Sequence, residues 1–185
     1  MKNLRKNIVA SLATILICGL AFPLLLTGIA QVVFPSQANG SMVTVAGQYV
    51  GSSLLGQAFE GPEYFHGRPS AINYNMNGTN QASGSNNMGP SDPALKARVE
   101  ATIQVLLNEN PGITRADIPL DMVTESASGL DPHISYQGAL MQLDRVALEN
   151  GLEPTTVTRL IDENKDRDNN VNVLNLNIAL QKERS

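Results

Sequence analysis

Ile8-Val-Ala-Ser-Leu-Ala-Thr-Ile-Leu-Ile-Cys-Gly-Leu-Ala-Phe-Pro-Leu-Leu-Leu-Thr-Gly-Ile-Ala-Gln-Val-Val-Phe34 is a run of 27 residues without a charge, interrupted by polar groups only at Ser11, Thr14, Thr27 and Gln31. As a helix it reaches about 40 Å, against a hydrocarbon core of roughly 30 Å, so it is long enough to cross a bilayer with tilt. Pro23 removes one backbone donor and predicts a kink, which membrane helices tolerate better than soluble ones. Ser36-Gln37-Ala38 carries the small-x-small pattern of a cleaved secretory signal. The run is, however, nearly twice as long as a signal core of about 7–15 residues, which favours an uncleaved anchor. Cys18 follows Ile17, where a lipoprotein signal needs a small residue, and is read as a thiol within the membrane.

The charges on either side orient the span. Lys2, Arg5 and Lys6 precede it, and the next charged residue is Glu60. By the positive-inside tendency the N-terminus is expected in the cytoplasm and residues 35–185 outside it. The expected organisation is a basic cytoplasmic N-terminus at 1–7, a transmembrane helix at 8–34, a linker at 35–40 and an extracytoplasmic α+β domain at 41–185. From residue 60 onward there are 10 basic and 17 acidic side chains, an acidic body behind a basic foot. With a sequence pI near 5.1 the chain lacks the basic face that phosphates require, which excludes a nucleic-acid partner and leaves membrane lipid as the first contact. One cysteine excludes an internal disulfide, and two histidines 67 positions apart do not make the usual zinc spacings.

Within the body, residues 41–91 read as β and loop, and 92–185 as mainly helical. Met42–Val45 and Gln48–Leu55, joined by Ala46-Gly47, predict a hairpin. Phe59, Tyr64 and Phe65 gather around Pro62, Gly67 and Pro69 in a rigid aromatic turn. Ala71–Pro93 holds six Asn and no charge before Asp92, a long polar loop that can be either ordered by Asx turns or a solvated connector. The sequons Asn39-Gly40-Ser41 and Asn77-Gly78-Thr79 carry meaning only in a eukaryotic source. Asp92-Pro93 then opens a helix with Leu95, Val99, Ile103 and Leu106 on one stripe, stopped by Asn110-Pro111-Gly112. A second helix is expected from Asp131–Ser135 to a Gly151 cap, with Asp131 as its N-cap, and a third from Pro154. Lys165–Asn170 is a charged turn, and Val171–Leu180 fits a strand and a helix equally.

No phosphate loop, dinucleotide fingerprint, zinc-protease helix or nucleophile elbow is present in the sequence. Ser128, Asp131 and His133 crowd together and invite a nucleophile, orienter and base. Catalytic triads are instead normally assembled by tertiary folding, so a structural role suits these residues better. Arg68, the one positive charge between Lys6 and Lys96, could pair with a carboxylate inside the body or offer its fork to a partner.

Phe65-His-Gly-Arg68-Pro-Ser70, Ser83-Gly-Ser-Asn-Asn-Met-Gly-Pro-Ser91, Gly129-Leu-Asp-Pro-His-Ile-Ser135 and Val171-Asn-Val-Leu-Asn-Leu-Asn-Ile-Ala-Leu180, in this order behind a single span, resemble the KdpC family of the Kdp potassium-transporting ATPase. Asn164–Asn170 departs from it, since the family often has a Gly- and aromatic-containing segment there. The resemblance implies an accessory, non-catalytic subunit of a bacterial inner-membrane complex that imports K⁺ at the expense of ATP. Its implied partners are a channel-like K⁺ subunit, a P-type ATPase catalytic subunit and a small single-span subunit. The Asp-Lys-Thr-Gly-Thr string of the phosphorylated subunit is absent from this sequence. The family is also assigned a role in promoting ATP binding by the pump subunit. The expected topology keeps residues 35–185 away from ATP, so ATP belongs to the complex and no cofactor is assigned to this chain. Tyr64, Phe65, Arg68, Asn86, Asp131 and His133 are the candidate interface residues. The other reading is a free-standing anchored ligand-binding domain or a hydrolase using His133.

Overall fold

Pro23 has no amide hydrogen and its ring crowds the carbonyl four residues back, and the apolar helix accommodates both by widening one turn. In the computed structural model, which describes residues 2–75 and 82–184, α1 (Lys2–Leu16) and α2 (Phe22–Val33) are joined by a π-helical turn at Ile17–Ala21. There the Phe22 amide donates five residues back to the Ile17 carbonyl, and the extra residue in the turn makes room for the proline. Asn3–Val33 is thus one helix of 31 residues, and the one helix among the described residues that is long and apolar enough to cross a membrane. Thr14 and Thr27 direct their hydroxyls to the carbonyls of Ala10 and Pro23, at 2.9 and 2.8 Å, so neither presents an unpaired donor along the helix. Cys18 lies on the outside of the widened turn.

The segment expected as a linker is wound up. A single helical turn, α3 (Pro35–Ala38), follows Phe34, and the Ser41 amide donates back to the Ser36 carbonyl at 2.8 Å. Asn39 donates to Gln31 Oε1 at 3.1 Å and to the Pro35 carbonyl at 2.6 Å, folding the chain onto the last turn of α2. The chain divides into two units, Met1–Met42 and Val43–Ser185.

The second unit begins with a two-stranded ribbon, β1 (Met42–Val45) and β2 (Gln48–Ser52). Its two-residue turn, Ala46-Gly47, has φ values of +50° and +81°, the twist that matches flanking antiparallel strands. After the irregular 53–75 segment, α4 (Pro93–Glu109) starts on the Asp92 side chain, which accepts from the Ala94 amide at 2.8 Å. Ile103 and Leu106 of its stripe are buried, and Asn110 ends it. Asn77-Gly78-Thr79 and the middle of the Asn-rich loop lie outside the described residues. The part from Ala82 onward is tied down: the Gly84 amide donates to the Ser128 carbonyl at 2.8 Å.

The expected helix at Asp131 is not there. His133–Ser135 forms β3, paired antiparallel with β4 (Asn170–Asn172) in the register His133↔Asn172, Ile134↔Val171 and Ser135↔Asn170. Asp131 caps no helix, because its carboxylate accepts the His133 amide at 3.0 Å and holds the chain extended, while the Pro132 carbonyl accepts the Val173 amide at 2.9 Å. Ser135 takes the capping role, its hydroxyl accepting from Gly138 at 3.0 Å, and α5 (Tyr136–Met141) begins one residue later. The single expected helix is broken at Gln142 into α5 and α6 (Leu143–Asn150), ending on Gly151 in the left-handed region. α7 (Pro154–Asn164) follows. The ambiguous 171–180 stretch is both things in turn: β4 ends at Asn172, whose side chain accepts the Asn175 amide at 3.1 Å and starts α8 (Val173–Glu183). Ile134 and Val171 face inward from the strand pair and join Val146, Val157, Ile161 and Leu176 in one core.

Candidate functional site

Tyr64-Phe65-His66-Gly67-Arg68 has no strand beside it, so its backbone amides need other partners. Side-chain amides from the helices supply them. Asn177 of α8 accepts the Phe65 amide at 2.9 Å and donates to the Phe65 carbonyl at 3.0 Å. Gln142, between α5 and α6, does the same for His66, at 2.8 and 3.1 Å. Both amides are almost wholly buried, at 2% and 1% exposure, and each mimics a neighbouring strand's peptide. Arg145 of α6 completes the frame. Its guanidinium donates to the carbonyls of Pro62 and Tyr64, to Asn110 Oδ1 at 3.0 Å and to Gln142 Oε1 at 2.8 Å. Burial pushes the Arg145 pKa below its ordinary value, against the pull of Glu109, Glu149 and Glu63. Phe65 is thereby enclosed in the core, while the Tyr64 ring tilts against Phe59 with centroids 5.7 Å apart.

Beyond Gly67 the same segment meets the chain before β3. Arg68 pairs with Asp131 at 2.8 Å, the internal carboxylate that its isolated charge allowed for. The Ser70 hydroxyl donates to the Gly129 carbonyl at 2.7 Å and accepts the Tyr74 amide at 3.0 Å. Tyr74, held at φ +52°, donates its hydroxyl to the Arg68 carbonyl. Its pKa is pushed up to about 12, first by burial and then by the Asp131 charge, with Arg68 opposing. A Cβ on Gly56 would lie 2.5 Å from the Asp131 carbonyl oxygen, so only glycine admits this approach.

Arg68, Asp131 and His133 converge on one open groove of about 630 Å³, edged by Leu120, Thr124 and Gln137. The His133 ring is 3.6 Å from Asp131. Ser128 does not complete a triad: its hydroxyl accepts the Leu130 amide at 3.1 Å, and no hydrogen bond joins it to His133 among the described residues. Asn86 lies apart from the groove and donates to Glu125 at 2.9 Å, a carboxylate also held by Arg98 at 2.7 Å. Among the described residues no cluster of three His, Cys, Asp or Glu is placed to hold a metal ion. The charged turn after α7 is self-contained: Lys165 pairs with Asp162 at 2.8 Å and sits 4.7 Å over the Tyr136 ring. Asp166 accepts the amides of Asp168 and Asn170 at 2.8 and 2.9 Å.

Gln142, Arg145 and Asn177 carry the segment and were not among the candidate residues. Their signal was available as polar side chains on otherwise apolar helical stripes, Asn177 between Leu176 and Ile178 in particular.

A single apolar N-terminal helix carrying a mixed body, in which small sheets and helices clamp a Phe-His-Gly-Arg turn, defines a class of membrane-anchored proteins. The family model described as K⁺-transporting ATPase, c chain (KdpC) matches residues 4–182. The chain belongs to the KdpC family. It is 41% identical to a potassium-transporting ATPase KdpC subunit of Clostridium kluyveri over 98% of this chain and 94% of the relative. It is 44% identical to KdpC subunit 2 of Staphylococcus aureus, over 98% and 100% of the two chains. With the KdpC subunit of a Janthinobacterium species the identity is 48% over 89% of this chain and 90% of the relative. This membership implies an accessory role in K⁺ import within a multi-subunit complex, and the apolar helix fits an inner-membrane protein.

Proposed function

We propose that this chain is the non-catalytic subunit that assembles and stabilises an ATP-driven potassium importer. Its body stands on the outer side of the membrane, against a channel-like K⁺ subunit, a P-type catalytic subunit and a small single-span subunit. The family match over residues 4–182 carries this reading. Any effect on ATP binding by the catalytic subunit is then exerted through the complex, since the body has no access to cytoplasmic nucleotide. Tyr64, Arg68, Asn86, Asp131 and His133 supply the outer contacts, with the buried Phe65 holding the turn from beneath. The small residues of the span, Ala10, Ala13, Gly19, Ala21 and Gly28 among them, allow close approach of a partner helix.

Mild solubilisation of the C-terminally tagged chain should bring down three partner subunits. Replacing the span with an unrelated helix, and separately Arg68→Ala, should each weaken that recovery, because two weak contacts on one chain act together. Because Arg68 also braces Asp131, the Arg68→Ala chain must keep its denaturation midpoint for a loss of partners to count as loss of an interface. His133→Ala should leave the ATPase activity of the assembled pump within severalfold. A loss of about 10² to 10⁴ with the complex intact is what removal of a general base produces, and it would overturn the non-catalytic reading.

A further inference from the structure

The β1–β2 ribbon and the turn after it expose Met42, Tyr49, Val50, Leu54 and Leu55, with Tyr49 75% and Leu54 59% exposed. Elsewhere in the described body the exposed large apolar residues, Val105, Leu120 and Leu148, are isolated in sequence. The uncharged stretch of the chain also outlasts the span: no Asp, Glu, Lys or Arg occurs between Phe34 and Glu60. Uncharged small polar residues interleaved with Tyr and Leu are the composition of a membrane–water interface, where charges are costly below the headgroups and a tyrosine ring sits with its hydroxyl in the wet layer.

The chain between span and ribbon leaves little slack. Asn39 is bonded to Gln31, itself within the apolar run, and Met42 follows three residues later, at most about 10 Å along the chain. The headgroup layer is about 5–8 Å deep on each face. The ribbon therefore starts within about that depth of the level at which the helix leaves the hydrocarbon. This continuity with a lipid-facing helix names the occupant of the patch.

We propose that the β1–β2 ribbon lies in the lipid headgroup layer at the C-terminal end of the span, with Tyr49 and Leu54 in contact with lipid, and so fixes the height and tilt of the body above the bilayer. The proposal rests on α1 and α2 forming a membrane span; it holds for either orientation.

Cys18 is the one cysteine, so a Cys18→Ser background accepts a single nitroxide label at will. Labels at Tyr49→Cys and Leu54→Cys in the full chain, reconstituted in phosphatidylcholine–phosphatidylglycerol vesicles, should show high accessibility to oxygen and at least several-fold lower accessibility to a water-soluble nickel chelate than a label at Leu148→Cys on α6. High nickel accessibility at the ribbon, equal to that at 148, overturns the proposal. A Leu25→Cys label reports the span separately: if it too is open to nickel, the spanning reading itself has failed. With the labelled chain co-reconstituted in the complete pump, retention of the lipid signature supports the proposal. A fall in both oxygen and nickel accessibility shows a protein partner covering the ribbon instead, and overturns it.

Discussion

Tyr74 ties the Phe65–Ser70 turn to the chain leading into β3, and its ionisation reports on that joint. Its pKa lies near 12, raised by burial and by Asp131 from an ordinary value of 10.0. The unfolded chain therefore loses this proton before the folded one does. Stability from the neutral phenol is complete below about pH 10 and is lost as pH rises from there towards 12, by roughly 2–3 kcal/mol in all. Denaturant midpoints of the solubilised chain between pH 9 and 11.5 should fall with this slope, and Tyr74→Phe should flatten it. At neutral pH Tyr74→Phe should itself cost about 1 kcal/mol for the lost bond to the Arg68 carbonyl. An unchanged alkaline slope in Tyr74→Phe would show that other groups govern it. The left-handed backbone at Asn73, Tyr74 and Asn75 was not foreseeable from an Asn-rich loop, because it is the Ser70 hydroxyl that holds the turn.

At the scale of elements, the body binds an irregular segment with helix side chains where other folds use a strand. Asn177→Leu leaves the amide and carbonyl of Phe65 without partners in a buried place, and should destabilise the chain by about 2–5 kcal/mol in equilibrium denaturation. Gln104→Ala, at an exposed position on α4, should stay within about 0.5 kcal/mol. A small effect of Asn177→Leu would mean that water reaches Phe65 and that the segment is not clamped as described. The helices themselves were legible wherever local chemistry agreed with packing, as at Asp92-Pro93 and Gly151. The start of α5 was not. Asp131-Pro132 reads locally as a cap, but Arg68, 63 residues away in sequence, pairs with that carboxylate, and β4 pulls the following residues into a strand.

At the scale of the whole molecule, three cations ahead of an uncharged helix predict the orientation. A phosphatase active only outside the cytoplasm, fused after Ser185, should be active, and an inactive fusion with normal expression would reverse the topology and reopen direct contact with ATP. The span, the order of strand-rich and helical halves and the helical stripes follow from the chain alone, because hydrophobic length, charge placement and periodicity are local properties summed along it. The family resemblance was legible for the same reason, in strings such as Gly129–Ser135 that stand together in sequence. The clamp of Phe65 and His66 by Asn177 and Gln142, the pairing of Arg68 with Asp131, and the β3–β4 register join residues 37 to 112 positions apart. Only the closed fold decides these, because a buried amide or guanidinium takes whichever partner the packing of the apolar core delivers, and nothing in the neighbouring sequence names that partner in advance.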